Sequence, residues 1–162
     1  MPRDVSGGGT RLAVFIATAG YAGYFPIAPG TVGSAAGLVA YLIVWWTQSR
    51  AVEVGLIVGL FALGVWAGTT AERYFGGIDP GPVVVDEVVG MLITLAFIPV
   101  GLSGAIAGFF LFRIFDIIKP FPAGRLEALH GGLGVMADDA MAAVYANLSL
   151  RVLLWLLPGW IA

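Results

Sequence analysis

Residues 83–118 read VVVDEVVGMLITLAFIPVGLSGAIAGFFLFRIFDII. Charge occurs only near the two ends, at Asp86-Glu87 and at Arg113 and Asp116, with Lys119 directly after. Two apolar runs, 83–98 and 102–118, are separated by Pro99-Val100-Gly101. Proline cannot continue a helix interior, and the break is too short for anything but a tight turn. The segment therefore predicts two antiparallel helices that bring Asp86, Glu87, Arg113, Asp116 and Lys119 to one end of a hairpin.

The rest of the chain shares this composition. Of 162 residues 59% are hydrophobic and 11% charged, and the mean hydropathy is +0.95. Soluble domains carry about 25% charge, so this chain has too little polar surface to coat a water-facing globule. Glycine, at 24 residues, recurs four apart at Gly33/Gly37, Gly55/Gly59, Gly64/Gly68 and Gly104/Gly108, a spacing that lets helices approach closely in lipid. There is no cysteine, which excludes disulfides and thiolate chemistry. The net charge of −2 and the lack of a basic run give no basis for a nucleic-acid partner.

Further apolar segments are predicted at 12–25 (short or interfacial, closed by Pro26 and Pro29), 32–47, 54–71 and about 137–157, ending before Pro158. Ala17-Thr18-Ala19 has the form of a signal-peptidase site, but the apolar stretch before it is short and no cleavage is expected. The expected fold is all-α: one domain over 1–162, with about four to six transmembrane or re-entrant helices. If each segment from 32 onward crosses, Arg73, Lys119 and Arg125 share one side, with Arg3 and Arg11 if the first segment does not cross. Arg50 stands on the other, so the first side is expected to be cytoplasmic. Asp79, Asp86, Glu87, Asp116, Asp138 and Asp139 fall on that same side, which the charge rule did not require.

An N-cap and the helix dipole account for one of Asp86 and Glu87. Two adjacent acids among valines, each costing about 2.5–3.5 kcal/mol to insert, point to function: one ligates a metal and the other orients it or a water. Arg113, Asp116 and Lys119 recur every third residue, keeping Arg113 and Asp116 on one face. They form either a self-neutralising pair with a snorkelling lysine, or a phosphate clamp in which Asp116 orients Arg113 or joins the metal. Asp138-Asp139 are expected to begin the last helix and carry the same two readings as Asp86-Glu87. Gly131-Gly132 form a phosphate-binding backbone nest or a flexible turn, and His130 is a general acid or a structural loop residue. Thr31, in Pro29-Gly30-Thr31, sits where a helix N-terminus can seat an anion; a P-loop ending is absent, so no nucleotide is expected.

Oxygen ligands, one imidazole and no sulfur favour Mg²⁺ or another hard cation. Carboxylates beside cations at the lipid–water boundary point to a phosphorylated lipid and a water activated by the metal. Two other classes fit parts of the pattern. A small cation-coupled transporter would use intramembrane acids, although these acids cluster at one face and no inverted repeat is visible. A structural subunit would only pair its charges.

At these residues the sequence resembles the phosphatidylglycerophosphatase A family. The matching blocks are PIAPGTVGS (26–34), VVVDEVVGMLITL (83–95), FRIFDIIKPFP (112–122) and HGGLGVMADDAMAAVYAN (130–147). The resemblance implies Mg²⁺-dependent hydrolysis of phosphatidylglycerol phosphate to phosphatidylglycerol and inorganic phosphate, in phospholipid synthesis at the bacterial cytoplasmic (inner) membrane. It implies function for Asp86, Glu87, Arg113, Asp116, Lys119, His130, Asp138 and Asp139. Together with the residue readings, this gives a metal held by Asp86, Glu87, Asp138 and Asp139. Phosphate is met by Thr31, Arg113, Lys119, Gly131 and Gly132. The Pro-Ser-Gly-His block of type 2 phosphatidic acid phosphatases, the Asp-x-Asp of haloacid dehalogenases and the spaced aspartates of CDP-alcohol phosphotransferases are absent.

Overall fold

A computed structural model describes residues 7–157 and Gly159, which leaves Arg3 and Pro158 outside the described residues. Among the described residues every regular element is helical: α1 (Gly8–Ala17), a 3₁₀ turn (Ala22–Tyr24), α2 (Pro29–Thr47), α3 (Arg50–Phe75), α4 (Val85–Leu95), α5 (Leu102–Ile118), α6 (Ala123–Leu126) and α7 (Gly132–Leu156). Three of these, α2, α3 and α7, are long and apolar enough to cross a membrane. The protein is a helical membrane protein, and large apolar side chains such as Trp46, Leu102 and Trp155 cover its outside.

α4 is the axis. Nine of its 11 residues are buried, and α2, α3, α5 and α7 all pack on it. Small residues make this possible. A methyl group at Gly37 would strike Val88 and Met91, one at Gly90 would strike Phe112, and one at Gly108 would strike Leu95. Gly64 and Gly68 likewise lie against α7, at Met136 and Gly132. The Gly55/Gly59 pair faces open space, so it serves no contact between these helices.

The hairpin of α4 and α5 forms as expected, and α5 has the expected bounds. α4 is shorter: 11 residues rise about 16 Å, against about 30 Å of hydrocarbon. Its last turn therefore ends inside the bundle, where carbonyls need donors. Asn147 supplies them, its Nδ2 donating to Ile93 O, Thr94 O and Ala96 O at 3.0–3.1 Å. Arg151 donates to Ala96 O at 3.2 Å and to Asn147 Oδ1 at 2.8 Å.

α7 departs from expectation in the other direction. It starts at Gly132, so Asp138 and Asp139 lie nearly two turns inside the helix instead of at its start. A helix-dipole explanation, which acts only in the first turn, does not reach them. α2 begins on Pro29 itself, where a missing N–H costs nothing and the fixed φ suits helix entry.

Candidate active site

Three helices deliver the charged groups to one end of the bundle. α4 presents Asp86 and Glu87 from its first turn, α5 presents Arg113 and Asp116 from its last turns, and α7 presents Asp138 and Asp139. Asp86, Asp138 and Asp139 are buried, at 5%, 2% and 3% exposure. Glu87, Asp116 and Arg113 are nearly so.

Asp86, Glu87 and Asp139 each place one carboxylate oxygen within 4.8 Å of the other two. Among the described residues Asp86 Oδ1, Glu87 Oε2 and Asp139 Oδ2 are buried without a hydrogen-bond partner. Unsatisfied anionic oxygens in a low-dielectric interior are expensive. All three belong to the Asp86–Glu87–Asp139 group, whose carboxylates lie close enough together to share a metal ion, and a hard divalent cation is a group able to satisfy such oxygens. The carboxyl groups of Asp86 and Glu87 are within reach of one another, as are those of Asp116 and Asp139.

Two cations flank this cluster. Arg113 Nη1 donates to Asp116 Oδ2 at 2.6 Å and to Ser34 Oγ at 3.5 Å, and lies 3.7 Å from Glu87 Oε1. Lys119 Nζ donates to Asp138 Oδ2 at 2.6 Å and lies 3.3 Å from Glu127 of α6. Burial works against the ammonium charge, but the Asp138 and Glu127 carboxylates prevail and hold the Lys119 pKa above its usual range. Asp138 is thus turned to Lys119, with its other oxygen accepting the Asp139 N–H at 2.9 Å, and it stands apart from the three-carboxylate group.

The N-terminus of α2 closes the site from a fourth side. A methyl at Gly30 would overlap Glu87 Oε1 and come within 3.1 Å of both Arg113 Nη atoms. Glycine lets this helix end sit against the ion pair without displacing those side-chain ends. Thr31 itself is exposed.

The glycines ahead of α7 do a different job from the one expected of them. Gly132 N–H donates to Thr69 Oγ1 at 2.9 Å, and a methyl at Gly132 would strike the α3 backbone at Val65 and Thr69. They seat α7 on α3, and the Gly132 donor is not free for phosphate. His130 is exposed in the loop before α7 and makes no hydrogen bond or ion pair among the described residues.

Two residues outside the expected site set border it. Glu127 shares Lys119, as above. Asp79, in the loop before α4, has a pKa raised to about 6 by burial, eased by Lys119 and reinforced by Asp138, Glu127 and Asp116. Its outer surface remains exposed, so protein crowds it from one side only. Neither had a sequence signal beyond being an acid on the charged side.

The sequence matches the family profile described as Phosphatidylglycerophosphatase A over residues 15–154. It is 40% identical over 121 residues to "Phosphatidylglycerophosphatase A" of Haemophilus influenzae, covering 74% of each chain. With the protein of the same name from Escherichia coli it shares 36% identity over 128 residues, 75% of this chain and 72% of that one. A Bacteroides thetaiotaomicron protein, provisionally named a phosphatidylinositol-3-phosphatase, is 38% identical over 153 residues, 90% of this chain and 96% of its own. No solved structure matches. A buried acidic cluster fit for a metal, flanked by cations in an apolar helical bundle, agrees with these likenesses, and the chain belongs to the phosphatidylglycerophosphatase A family, whose members are lipid phosphatases.

Proposed function

We propose that this enzyme hydrolyses phosphatidylglycerol phosphate to phosphatidylglycerol and inorganic phosphate in a Mg²⁺-dependent reaction, at the cytoplasmic face of a bacterial inner membrane. The observation that carries the reading is the convergence of the Asp86, Glu87 and Asp139 carboxylates, each with a buried unpartnered oxygen, with Arg113 beside Glu87. Asp86, Glu87 and Asp139 are the residues that would hold the ion. When bound, it supplies Lewis-acid polarisation of the phosphoryl group and activation of water.

The remaining roles belong to the chain's own groups. Asp86, Glu87, Asp116, Asp138 and Asp139 outnumber Arg113 and Lys119, so the site has formal negative charge in excess that a bound cation would balance. Arg113 and Lys119 are held by carboxylates. While so held, both keep further N–H donors for the terminal phosphate, where guanidinium contacts are strong. Asp116 orients Arg113 through the 2.6 Å bond, and Asp138 does the same for Lys119. His130, exposed in the loop before α7, is the proposed proton donor to the leaving glycerol oxygen. The phosphate moves away, while the leaving group stays on its lipid.

Likeness to the Bacteroides protein favours a second substrate class, phosphatidylinositol 3-phosphate. The test is phosphate release in detergent micelles from both lipids, with Mg²⁺ or excess EDTA, by the wild type and Asp86→Asn. Mg²⁺-dependent release from phosphatidylglycerol phosphate, lost on chelation and in Asp86→Asn, supports the proposal. Faster release from the inositol lipid moves the substrate assignment. Release indifferent to EDTA overturns the metal role. An independent readout is thermal unfolding, where Mg²⁺ should raise the midpoint of the wild type and not of Asp86→Asn.

A further inference from the structure

A recess lies at the end of the bundle opposite the acid site. α2 and α4 start side by side, with Gly30 and Gly33 of α2 against Glu87 and Val84. From that common level α2 rises about 25 Å to Thr47, whereas α4 rises only about 12 Å to Leu95. The α4–α5 turn therefore falls short of the α2–α3 turn. It is held there by Tyr41 Oη, which donates to Ile98 O at 3.3 Å, and by Glu53 Oε1, which accepts the Phe97 N–H at 3.1 Å. Between the two turns is a cavity of about 250 Å³ with Gln48, Ser49, Arg50 and Glu53 in its lining. An apolar crevice of about 200 Å³, walled by Leu38, Leu42, Leu102 and Ala105, shares Tyr41 and Trp45 with it.

A polar and an apolar compartment with common walls fit an amphiphile, and the charges select its headgroup. Arg50 and Glu53 stand one turn apart at the start of α3 and both line the polar cavity. Neither makes an ion pair among the described residues. Glu53 gives one oxygen to Phe97, which leaves the other for a cation. Trp45 adds an aromatic face, the surface on which an ammonium is held, and the Arg50 guanidinium suits a phosphate. A headgroup with both charges answers both residues; a purely anionic one would set a phosphate against Glu53 with nothing to balance it.

We propose that the two compartments bind one zwitterionic aminophospholipid of the leaflet opposite the acid site. Its ammonium lies at Glu53 and Trp45, its phosphodiester at Arg50, and part of an acyl chain in the crevice. Depth agrees with this. α2 is long enough to cross a membrane, which puts Gln48, Arg50 and Glu53 at the far headgroup level. Leu42 and Leu38 stand about 9 and 15 Å above Gln48 along α2, within the roughly 15 Å of hydrocarbon in one leaflet. Together the compartments reach the size of small-ligand sites, about 300–1,000 Å³. The lipid fills the space that the short α4 leaves, and it does so apart from the acid site.

The test is lipid binding to the full-length protein, stripped of lipid in a neutral detergent and followed by native mass spectrometry. The probes are phosphatidylethanolamine and N-acetyl phosphatidylethanolamine, which keeps the phosphate and acyl chains and loses the ammonium. One phosphatidylethanolamine per chain is expected, with a Kd about tenfold below that of the acetylated lipid, the worth of one charge-assisted hydrogen bond. Glu53→Gln keeps an acceptor for the Phe97 N–H and removes only the charge, so it should bind the two lipids alike. Arg50→Gln should weaken both about tenfold, and Ala105→Phe, which fills the crevice from α5, should weaken both without changing the preference. Equal binding of the two lipids by the wild type means that ordinary boundary lipid occupies the recess. A preference that survives Glu53→Gln means that the ammonium is held elsewhere. A dimer of chains in place of bound lipid means that a second copy covers the recess. Each of these, or no bound lipid at all, overturns the proposal. No turnover is read, so the result stands or falls separately from the phosphatase reading.

Discussion

Gly30→Ala isolates the contact between the α2 N-terminus and the Glu87–Arg113 pair. The added methyl overlaps Glu87 Oε1 and stands 3.1 Å from Arg113 Nη1 and Nη2, all far ends of side chains and not backbone. Restoring ordinary carbon–oxygen separation displaces the Glu87 carboxylate by on the order of 1 Å. The fold absorbs this, because Ala is the better helix former by about 1 kcal/mol. The unfolding midpoint should therefore change by only a few degrees in either direction. Catalysis should not absorb it: a 1 Å misplacement of a positioned group costs on the order of 10²-fold. The assay is kcat for phosphate release at saturating Mg²⁺ and substrate, alongside thermal unfolding of the same preparation. A folded variant retaining more than a third of wild-type kcat would refute the claim that Glu87 and Arg113 act from these positions.

Lys119→Met leaves the buried Asp138 without its 2.6 Å partner. Breaking a buried pair from one side costs about 3–5 kcal/mol, and the double variant with Asp138→Leu should recover part of that in chemical denaturation. Asn147→Ala removes the side-chain donor from Thr94 O, while Ile93 O keeps the Ala96 N–H and Ala96 O keeps Arg151. One orphaned carbonyl costs about 1–3 kcal/mol, read as a lower unfolding midpoint, with faster hydrogen exchange at the end of α4. Asp79 binds its proton more tightly folded (pKa about 6) than its usual 3.8 would allow. Stability should therefore fall as pH rises from about 4 to about 6 and level off above, and Asp79→Asn should flatten that window in pH-dependent melting curves.

The α4–α5 hairpin was legible because its signals are local. A charge-free interior, a Pro-Val-Gly break and charged ends need no partner to be read, and α5 falls on its expected bounds. The early start of α7 was not legible. Gly131, Gly132 and Gly134 read as a loop by propensity, yet Gly132 is helical because α3 presses on it at Val65 and Thr69. Tertiary contact overrode local preference, and Asp138-Asp139 moved from a helix start to its interior. The short α4 escaped for a similar reason. The donors that let it stop early, Asn147 and Arg151, lie some fifty residues downstream.

The site was legible as a set of residues and not as a geometry, and Asp138-Asp139 shows why. Neighbouring helical positions diverge by about 100°, so at most one of the pair can face a given point. Sequence offers both to the metal. The structure gives Asp139 to Asp86 and Glu87, and Asp138 to Lys119, because the rotation of α7 is fixed by Gly132 on α3 and by Ala142, Ala143 and Ala146 in the core. Asp86-Glu87 escapes this division only because it occupies the first turn of a helix enclosed on all sides, where Glu87 reaches back to the cluster beside Arg113. The two adjacent acidic pairs therefore differ in chemistry. One gives two candidate ligands, and the other gives one ligand and one anchor for a phosphate-binding lysine. Exchanging Asp138 for Asn should thus weaken substrate binding through Lys119 while leaving Mg²⁺-induced stabilisation in place, and Asp139→Asn should do the reverse. Loss of Mg²⁺ stabilisation in both variants would show that the division read from α7 is wrong.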